Sequence, residues 1–390
     1  MECRIWFSNF STFQLSNCPT PAGGAVRIAV DAMGGDHAPD VVVAGAVTAV
    51  HDLGVEVVLV GPTARVEKEL ARHRPVPSGL SIVDAPEVIE MHESPAMAVR
   101  RKKRASIVVA MELVRDHRAD AAVSAGHTGA AMGAALLRLG RIPGVDRPAI
   151  ATLLPTVAAH PVVLLDVGAN VDCRPQHLLQ FAIMGAVYAQ RVLEIQTPHV
   201  GVLSNGVEEG KGSDLTLRTT ALLRDSGLDF VGNVEARDVF SGVADVVVCD
   251  GFVGNVVLKF GEGLALTIRD IVKSEFRGLP GRLLLLYLAP LAGKIRRMYR
   301  RIDYREYGGA PLLGLEGVCI IAHGSSNARA IRNAIRVAVE AVRHGFVDEI
   351  RAQMPRWSEA GLNAGASRGP ALKPAAVPGL AASDPSADHH

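Results

Sequence analysis

The sequence predicts an α/β protein with a three-layer α/β/α architecture, in which helices cover both faces of a doubly wound, mostly parallel sheet. Short, purely apolar runs alternate with stretches of helical length along most of the chain, which is the pattern of right-handed βαβ units. The composition is 48% hydrophobic but only 4% aromatic, so the core must consist mainly of aliphatic side chains, as in strands buried on both faces. No linker divides residues 26–350, and we therefore expect one domain there.

Local signals mark the first elements. Val26–Asp31 begins with a β-branched run that predicts a strand, and a proline opens a predicted helix over residues 39–52. Val55–Val60 predicts the second strand. Ser94 is a good N-cap for a helix that runs to about residue 104. In Ile107–His117 the apolar residues share one helical face, which predicts another helix.

The rest of the chain alternates more regularly. Five short apolar runs predict buried parallel strands, and helical stretches follow them. The strands are Ala121–Val123, Val162–Leu165, Val200–Leu203, Val246–Val248 and Val318–Ile321, and the helices are expected at about 128–139, 175–193, 213–226, 255–273 and 326–344.

The two ends of the chain differ from this pattern. Residues 1–25 lack the basic and apolar regions of a secretory signal, and we expect a disordered leader. Residues 354–390 are rich in small residues and proline, which predicts a disordered tail. Five cysteines without a CxxC pair favour a reducing cytoplasm, and the near-neutral charge gives no case for nucleic acid. No run of eighteen apolar residues occurs, so no membrane span is expected.

Residues 276–305 predict a helical hairpin that protrudes from the domain. The apolar run Leu283–Ala292 is too short to span a bilayer, and five cations follow it without an intervening acid. Such a segment can lie among lipid headgroups, with cations meeting anionic lipid. Packing at a dimer interface is the alternative, and one hairpin could serve both purposes. The candidate membrane contacts are Leu283, Leu284, Leu285, Leu286, Arg296 and Arg297.

Six predicted strands run into loops that contain glycine. In open α/β sheets, ligands bind at the carboxyl ends of strands, and the following helix offers its positive end to an anion. We therefore expect the six loops to line one crevice suited to a phosphate-sized anion. The loops span residues 31–37, 124–129, 166–170, 204–212, 250–255 and 323–326.

Two of these loops supply most candidates for phosphate binding. The loop Ser124–Gly129 follows a strand and opens a helix, which is the position of a phosphate-binding turn. It lacks the spacing of a P-loop, and no GxGxxG motif follows a strand, so nucleotide binding is disfavoured. A tight turn with an N-cap and no ligand is the alternative. Lys211 lies between two glycines, where its mobile charge could reach a phosphate. The alternative is an ordinary exposed lysine in a surface turn. The full candidate set is Gly35, Ser124, Gly126, His127, Thr128, Gly129 and Lys211.

The candidate catalytic residues are His37, Lys211, Asn170 and Asn255. His37 is a possible general base or phosphate ligand, although an isolated histidine is more often structural. Asn170 and Asn255 are candidate donors to an oxyanion or, alternatively, helix caps. No HxxxH or DxD pair appears, so no metal is predicted.

A run of five cations ends the helix that follows Ser94. Cations suit a helix end, and a charge run is usually a solvated surface. The alternative is a docking patch for an acidic macromolecule or a phosphorylated carrier. The candidate docking residues are Arg100, Arg101, Lys102 and Lys103, with Arg104 completing the run.

Taken together, these loops resemble the PlsX-type acyl-carrier-protein:phosphate acyltransferases of bacterial phospholipid synthesis over about residues 26–350. Two departures keep hydrogen-bonding capacity: His127 replaces the usual asparagine, and Ser204-Asn-Gly-Val precedes Glu208. The matching segments are 31–39, 94–95 with 100–103, 124–129, 165–173, 208–212, 230–235, 248–256, 307–314 and 322–326.

The resemblance implies a reaction, a fold and partners. Inorganic phosphate would attack the long-chain acyl thioester of acyl carrier protein, without a cofactor, and a membrane glycerol-3-phosphate acyltransferase would take the acyl phosphate. It implies a fold related to phosphotransacetylases and isocitrate-dehydrogenase-like enzymes, and a homodimer. An apolar product favours a cytoplasmic protein that associates with the inner face of the cell membrane. The rival hypotheses are a nicotinamide-dependent dehydrogenase, whose metal-binding aspartates and ribose-reading acid are not found, and a non-catalytic scaffold.

Overall fold

A computed structural model describes residues 25–158, 160–275, 293 and 308–362. In these parts of the chain, eleven strands form a single sheet. The strands are β1 Arg27–Asp31, β2 Glu56–Gly61, β3 Leu80–Asp84, β4 Ala121–Ser124, β5 Ala149–Leu154, β6 Val162–Leu165, β7 Val200–Ser204, β8 Phe230–Glu235, β9 Val246–Val248, β10 Ala310–Leu313 and β11 Val318–Ile321.

Helices connect most of these strands. They are α1 Asp40–Leu53, α2 Thr63–Leu70, α3 Pro95–Arg101, α4 Ser106–Arg115, α5 Thr128–Arg138, α6 Pro175–Val192, α7 Asp214–Arg224, α8 Gly251–Glu275, α9 Ala328–Arg343 and α10 Phe346–Leu362. A 3₁₀ turn, Asp238–Phe240, precedes β9.

The strand direction changes at three neighbouring pairs in the middle of the sheet. The strand order is β3-β2-β1-β4-β11-β10-β5-β6-β9-β7-β8. The pairs β11–β10, β10–β5 and β5–β6 are antiparallel, while the other neighbours are parallel. Three antiparallel steps make β1–β4 and β11 run opposite to β6–β9. The carboxyl ends of these two parallel sets therefore lie at opposite edges of the sheet.

Both faces of the sheet are covered. In β1, Ile28 and Val30 join one apolar cluster and Ala29 joins the other, because successive side chains of a strand point to opposite faces. Residues of α1, α6 and α9 belong to the first cluster, and residues of α4 and α5 belong to the second. The three-layer α/β/α prediction with a mostly parallel sheet is confirmed.

The elements that sequence analysis missed lie where burial is incomplete or pairing is antiparallel. Strands β3 and β8 end the sheet and are only partly buried, so their sequences contain no purely apolar run. Strand β10 contains Pro311, which has no backbone N–H to donate to a neighbouring strand, so its sequence argues against a strand. Helix α10 continues to Leu362, so the prediction of an irregular tail from residue 354 is wrong over residues 354–362.

Helix α8 begins four residues before its predicted start and presents apolar side chains to the outside. Phe252, Phe260 and Ile268 are more than half exposed. Its segment Gly251–Val272 is long and apolar enough to cross a membrane by length and composition, whereas the sequence led us to expect no such segment. The predicted hairpin, including Leu283–Leu286, Arg296 and Arg297, lies outside the described residues, as do most of the two predicted disordered ends.

Candidate functional site

Three of the six glycine-containing loops are joined by direct hydrogen bonds. The Ser124 hydroxyl donates to Asp31 Oδ2 at 2.7 Å, which links the loops after β4 and β1. The Asp36 N–H donates to the Gly324 carbonyl at 2.9 Å, which links the loops after β1 and β11. We call residues 31–37, 124–129 and 322–326 the first loop group.

The other three loops lie at the carboxyl ends of the second parallel set. The Gly251 N–H donates to the Asn170 carbonyl at 2.7 Å, and the Cys249 N–H donates to the Leu165 carbonyl at 2.6 Å, so the loops after β6 and β9 are joined. The loop after β7 ends at the same edge because β7 pairs parallel with β9. We call residues 166–170, 204–212 and 249–255 the second loop group.

The prediction that all six loops meet in one crevice is wrong. No hydrogen bond between described residues connects the two loop groups, and they end at opposite edges of the sheet. Strands β4 and β6 are four positions apart, which corresponds to about 19 Å across a sheet with strands about 4.8 Å apart. The apolar runs revealed where strands end but not the antiparallel pair β5 and β10 that reverses their direction.

A buried carboxylate organises the first loop group. Asp31 is 3% exposed and accepts hydrogen bonds from the Met33 N–H and from the Ser106 and Ser124 side chains. Burial raises the pKa of Asp31, and these hydrogen bonds oppose that rise. Ser106 was not among the predicted residues; a serine at the start of an apolar helix was the available signal.

Ser124 does not have the role that the sequence suggested. Its hydroxyl donates to Asp31 and accepts the Gly126 N–H at 3.1 Å. Because its single proton is already donated, Ser124 has no donor left for phosphate. It shapes the turn instead of binding the anion.

His127 is better placed to bind an anion. It is the N-cap of α5, and its Nδ1 accepts the Gly129 N–H at 3.1 Å. A neutral imidazole that accepts at Nδ1 carries its proton on Nε2, so the outer nitrogen is a donor. No acceptor within the described part of the chain takes the backbone N–H of His127 or Thr128, and Thr128 is exposed. These donors stand at the positive end of an eleven-residue helix.

The neighbouring loop supports this arrangement. Gly35 has φ 109°, and a Cβ there would lie 3.1 Å from the Gly324 carbonyl, so the site requires glycine. His37 is exposed in the same loop, and its role as a general base or phosphate ligand stays a prediction. A cavity of about 10 Å³ lies between Asp31, Ser106 and His127. It can hold one water but is too small for a phosphate.

In the second loop group, Asn170 has a structural role. Its side chain is buried, and its Nδ2 donates to the Pro148 carbonyl at 2.8 Å and to Asp166 Oδ2 at 2.9 Å. Both amide protons are therefore used, and the prediction that Asn170 donates to an oxyanion is corrected. Asp166 also accepts the Ile150, Gly168, Ala169 and Asn170 N–H groups, while burial raises its pKa.

Asn255 keeps its hydrogen-bonding capacity. Asp250 caps α8 by accepting the N–H groups of Phe252 and Val253, each at 3.0 Å, so Asn255 is not the cap. Asn255 is half-buried beside Gly168, and its side chain has no hydrogen-bond partner among the residues that the structure describes. Its predicted role as an oxyanion donor stays a prediction.

Lys211 is exposed in the loop after β7. Asn233 holds this loop by donating to the carbonyls of Glu208 and Lys211, at 3.1 and 3.4 Å. Within residues 160–275 and the other described ranges, no carboxylate pairs with the Lys211 ammonium. The lysine is thus an available charge, but it lies in a different loop group from His127.

The basic run that follows α3 is partly neutralised. Arg101 and Lys102 pair with Glu93, and Arg104 pairs with Asp84. Hydrogen bonding to Lys102 lowers the pKa of Glu93 to about 2. These pairs reduce the positive charge that the sequence suggested for this surface.

Two cations of the run remain available. Arg100 and Lys103 are exposed and have no acidic partner in the described ranges. At the other end of the seven-residue helix α3, Pro95 lies against Gly129 of the first loop group. At 1.5 Å per residue, about 10 Å of helix separates the end of α3 that carries these two cations from the first loop group.

Comparisons with known proteins agree with the resemblance. Residues 26–349 match the family model described as "Fatty acid synthesis protein". A protein from a Cyanothece species is 55% identical over 329 residues, which cover 84% of this chain and 94% of that relative. A protein from Desulfitobacterium hafniense is 54% identical over 337 residues, covering 86% and 99%. Both relatives are named "Phosphate acyltransferase".

Solved structures share the fold. A phosphotransacetylase from Streptococcus pyogenes superposes with a TM-score of 0.57 at 17% identity, covering 82% of this chain and 94% of that one. A phosphotransacetylase from Staphylococcus aureus gives 0.54 at 16% identity with the same coverage. At such identities the likeness concerns the fold alone.

Proposed function

We propose, since this chain belongs to the fatty acid synthesis protein family, that it takes its acyl group from a long-chain thioester of acyl carrier protein. Its relatives are phosphate acyltransferases, and like them it transfers an acyl group to phosphate. The proposed reaction converts acyl carrier protein thioester and inorganic phosphate to acyl phosphate and the free carrier thiol, reversibly.

The start of α5 is the observation that best supports a place for phosphate. The backbone N–H groups of His127 and Thr128, the His127 Nε2–H and the Thr128 hydroxyl are four donors at one helix N-terminus. Phosphate is already an anionic nucleophile at neutral pH, so the protein needs no serine or cysteine nucleophile. Its main tasks are to hold phosphate and to stabilise the oxyanion.

The chemical step follows from this placement. A phosphate oxygen attacks the thioester carbon, the carbonyl oxygen becomes an oxyanion, and the C–S bond then breaks. The thiolate takes up the proton released by phosphate. His37, exposed in the adjacent loop of the first group, is our candidate for moving that proton. Lys211 and Asn255, the other two candidates, lie in the second loop group at the opposite edge of the sheet, so this step does not use them.

The free cations near α3 support docking of the carrier. Arg100 and Lys103 lie one short helix away from Gly129, so an acidic carrier bound there would stand close to the proposed phosphate position. Arg101 and Lys102 contribute less, because Glu93 already neutralises them.

The exposed apolar face of α8 supports association with a second copy. Phe260 is 72% exposed and Ile268 is 53% exposed, which is costly for an isolated helix in water. We propose a homodimer with α8 in its interface. We also propose that residues 283–297 attach the cytoplasmic protein to the inner face of the cell membrane, where a glycerol-3-phosphate acyltransferase would take the acyl phosphate.

A trapping assay tests the activity and its donor. Acyl phosphate reacts with hydroxylamine to give a hydroxamate that can be quantified. We expect phosphate-dependent hydroxamate from a long-chain acyl carrier protein, and much less from the same acyl group on coenzyme A. Equal rates with the two donors would refute the carrier proposal. No hydroxamate above the enzyme-free control with either donor would leave a non-catalytic scaffold as the function.

A further inference from the structure

The Asp31 carboxylate connects three elements beneath the proposed phosphate position. It ends β1, accepts the hydroxyl of Ser124 at the end of β4, and interacts with the Ser106 side chain at the start of α4. All three residues are buried, at 3%, 1% and 2% exposure. The carboxylate therefore acts inside the protein and does not reach a ligand on the open side of the loops.

Ser124 passes this fixed orientation to the loop. Its proton points to Asp31 Oδ2 at 2.7 Å, which turns an oxygen lone pair toward the Gly126 N–H at 3.1 Å. Gly126 immediately precedes His127, so its peptide plane helps to set the direction of the next amide. The chain of contacts thus runs from a buried charge to the donors at the start of α5.

The two loops are in close contact beside this relay. A Cβ at Gly34 would lie 2.7 Å from the Gly126 nitrogen and 2.8 Å from Asp31 Oδ2. No side chain fits there without moving one loop. The position of the turn at Gly126 is therefore determined by the β1 loop as well as by its own sequence.

We propose that Asp31, acting through Ser124, is a positioning residue for phosphate in the acyl-transfer reaction. It sets the orientation of the Gly126–Thr128 backbone and of the His127 ring without touching the substrate. This inference rests on the proposed phosphate position at α5. A purely structural role would alter the stability of the protein but not the Michaelis constant of one substrate selectively.

The test uses Asp31→Asn, Ser124→Ala and their double variant in the full-length protein. Loss of a charge-assisted hydrogen bond should raise the KM for phosphate about tenfold or more in each single variant. The KM for acyl carrier protein thioester should stay within about twofold of the wild-type value. The double variant should show little more effect than either single one, because both changes break the same relay.

Ser226→Ala is the matched control. Ser226 is a buried serine whose hydroxyl donates to the Leu223 carbonyl and accepts the Leu228 N–H, away from both loop groups. It should lower the thermal unfolding temperature without changing the KM for phosphate. The same pattern in Asp31→Asn or in Ser124→Ala would overturn the inference, as would equal increases in both Michaelis constants. If Asp31→Asn does not fold, Ser124→Ala alone decides.

Two further variants separate this inference from the proposal on which it rests. If Thr128→Ala and His127→Ala leave the KM for phosphate unchanged, the proposed phosphate position is wrong. If they raise it while folded Asp31→Asn and Ser124→Ala do not, only the positioning role of Asp31 is wrong. Increases in all four variants support both.

Discussion

His127 Nδ1 accepts the backbone N–H of Gly129 at 3.1 Å, so one side chain caps α5 and, as a neutral ring, keeps Nε2–H as a donor. Asparagine, which the resemblance gives as the usual residue here, can do both, because it combines a good cap acceptor with amide donors. The substitution in this chain therefore keeps the two contacts and changes the group that provides them.

We expect His127→Asn to retain most of the activity and His127→Ala to lose much of it. Alanine removes the cap, which should lower the free energy of unfolding by about 1 kcal/mol. It also removes a donor to the anion, which should raise the KM for phosphate about tenfold. Steady-state kinetics and denaturant unfolding measure the two effects separately. A normal KM for phosphate in His127→Ala would contradict the role of the ring.

Lys211→Ala should leave the KM for phosphate within about twofold of the wild-type value. Its exposed ammonium is a point charge without an acidic partner in the described ranges, but the second loop group ends at the opposite edge of the sheet from the proposed phosphate position. Lys68→Ala, on the exposed side of α2, is the control. A severalfold rise of the KM for phosphate in Lys211→Ala but not in Lys68→Ala would contradict the placement of phosphate at the first loop group.

Arg100→Glu with Lys103→Glu should weaken carrier docking. Both are exposed and unpaired with acids in the described ranges, so reversal should raise the KM for acyl carrier protein about tenfold at low salt, and less at high salt. Arg118→Glu, at the opposite end of β4, changes the net charge without changing this surface. An equal effect of that control would show that only the overall charge matters and that no docking surface exists here.

The Glu93–Lys102 pair should make stability depend on pH in the acid range. The pKa of the Glu93 carboxyl is lowered from 4.5 to about 2, chiefly by the hydrogen bond from Lys102. A lowered carboxyl pKa stabilises the fold fully above pH 4.5, and this contribution is lost as the pH falls toward 2. Denaturant unfolding between pH 6 and 3 should therefore show a shallower decline for Glu93→Gln than for the wild type. Glu67→Gln, on exposed α2, should follow the wild type; identical slopes for Glu93→Gln would contradict the pair's contribution.

Purely apolar runs predicted the buried strands well. Val162–Leu165, Val246–Val248 and Val318–Ile321 have the bounds that the sequence indicates, because strands buried on both faces require such runs. The direction of the strands could not be predicted. The reversal depends on β5 and β10, and β10 contains Pro311, which argues against a central strand.

The sequence showed which polar residues the loops contain, but not the partners of those residues in the fold. Ser124 and Asn170 have donors suited to a ligand, yet buried aspartates at two strand ends take those donors. A sequence shows which polar groups a loop carries, whereas the partner of each depends on which loops the fold brings together. His127 differs from these two residues, because the partner of its Nδ1 is the Gly129 N–H of its own helix and not a group on a distant strand.

If α8 forms the proposed dimer interface, Phe260→Asp with Ile268→Asp should convert the protein to a monomer. The two side chains are among the exposed apolar residues of α8, and an interface that buries them would not tolerate two unpaired carboxylates. The dissociation constant should rise about 100-fold or more, which sedimentation velocity over a concentration series can measure. Leu217→Asp, on an exposed position of α7, is the control and should leave the dimer intact.

A liposome-binding experiment distinguishes the two possible partners of the apolar face of α8, a second copy of the chain and lipid. If α8 lies in the dimer interface, Phe260→Asp with Ile268→Asp should still sediment with anionic vesicles, because the attachment is assigned to residues 283–297. Leu284→Asp with Leu286→Asp should have the opposite effect: the protein should remain a dimer but no longer sediment with the vesicles. Without insertion of the apolar side chains, the cations of this segment bind anionic lipid only weakly. A wild-type protein that sediments as a monomer, or an α8 variant that stays dimeric but loses vesicle binding, would assign α8 to the membrane instead.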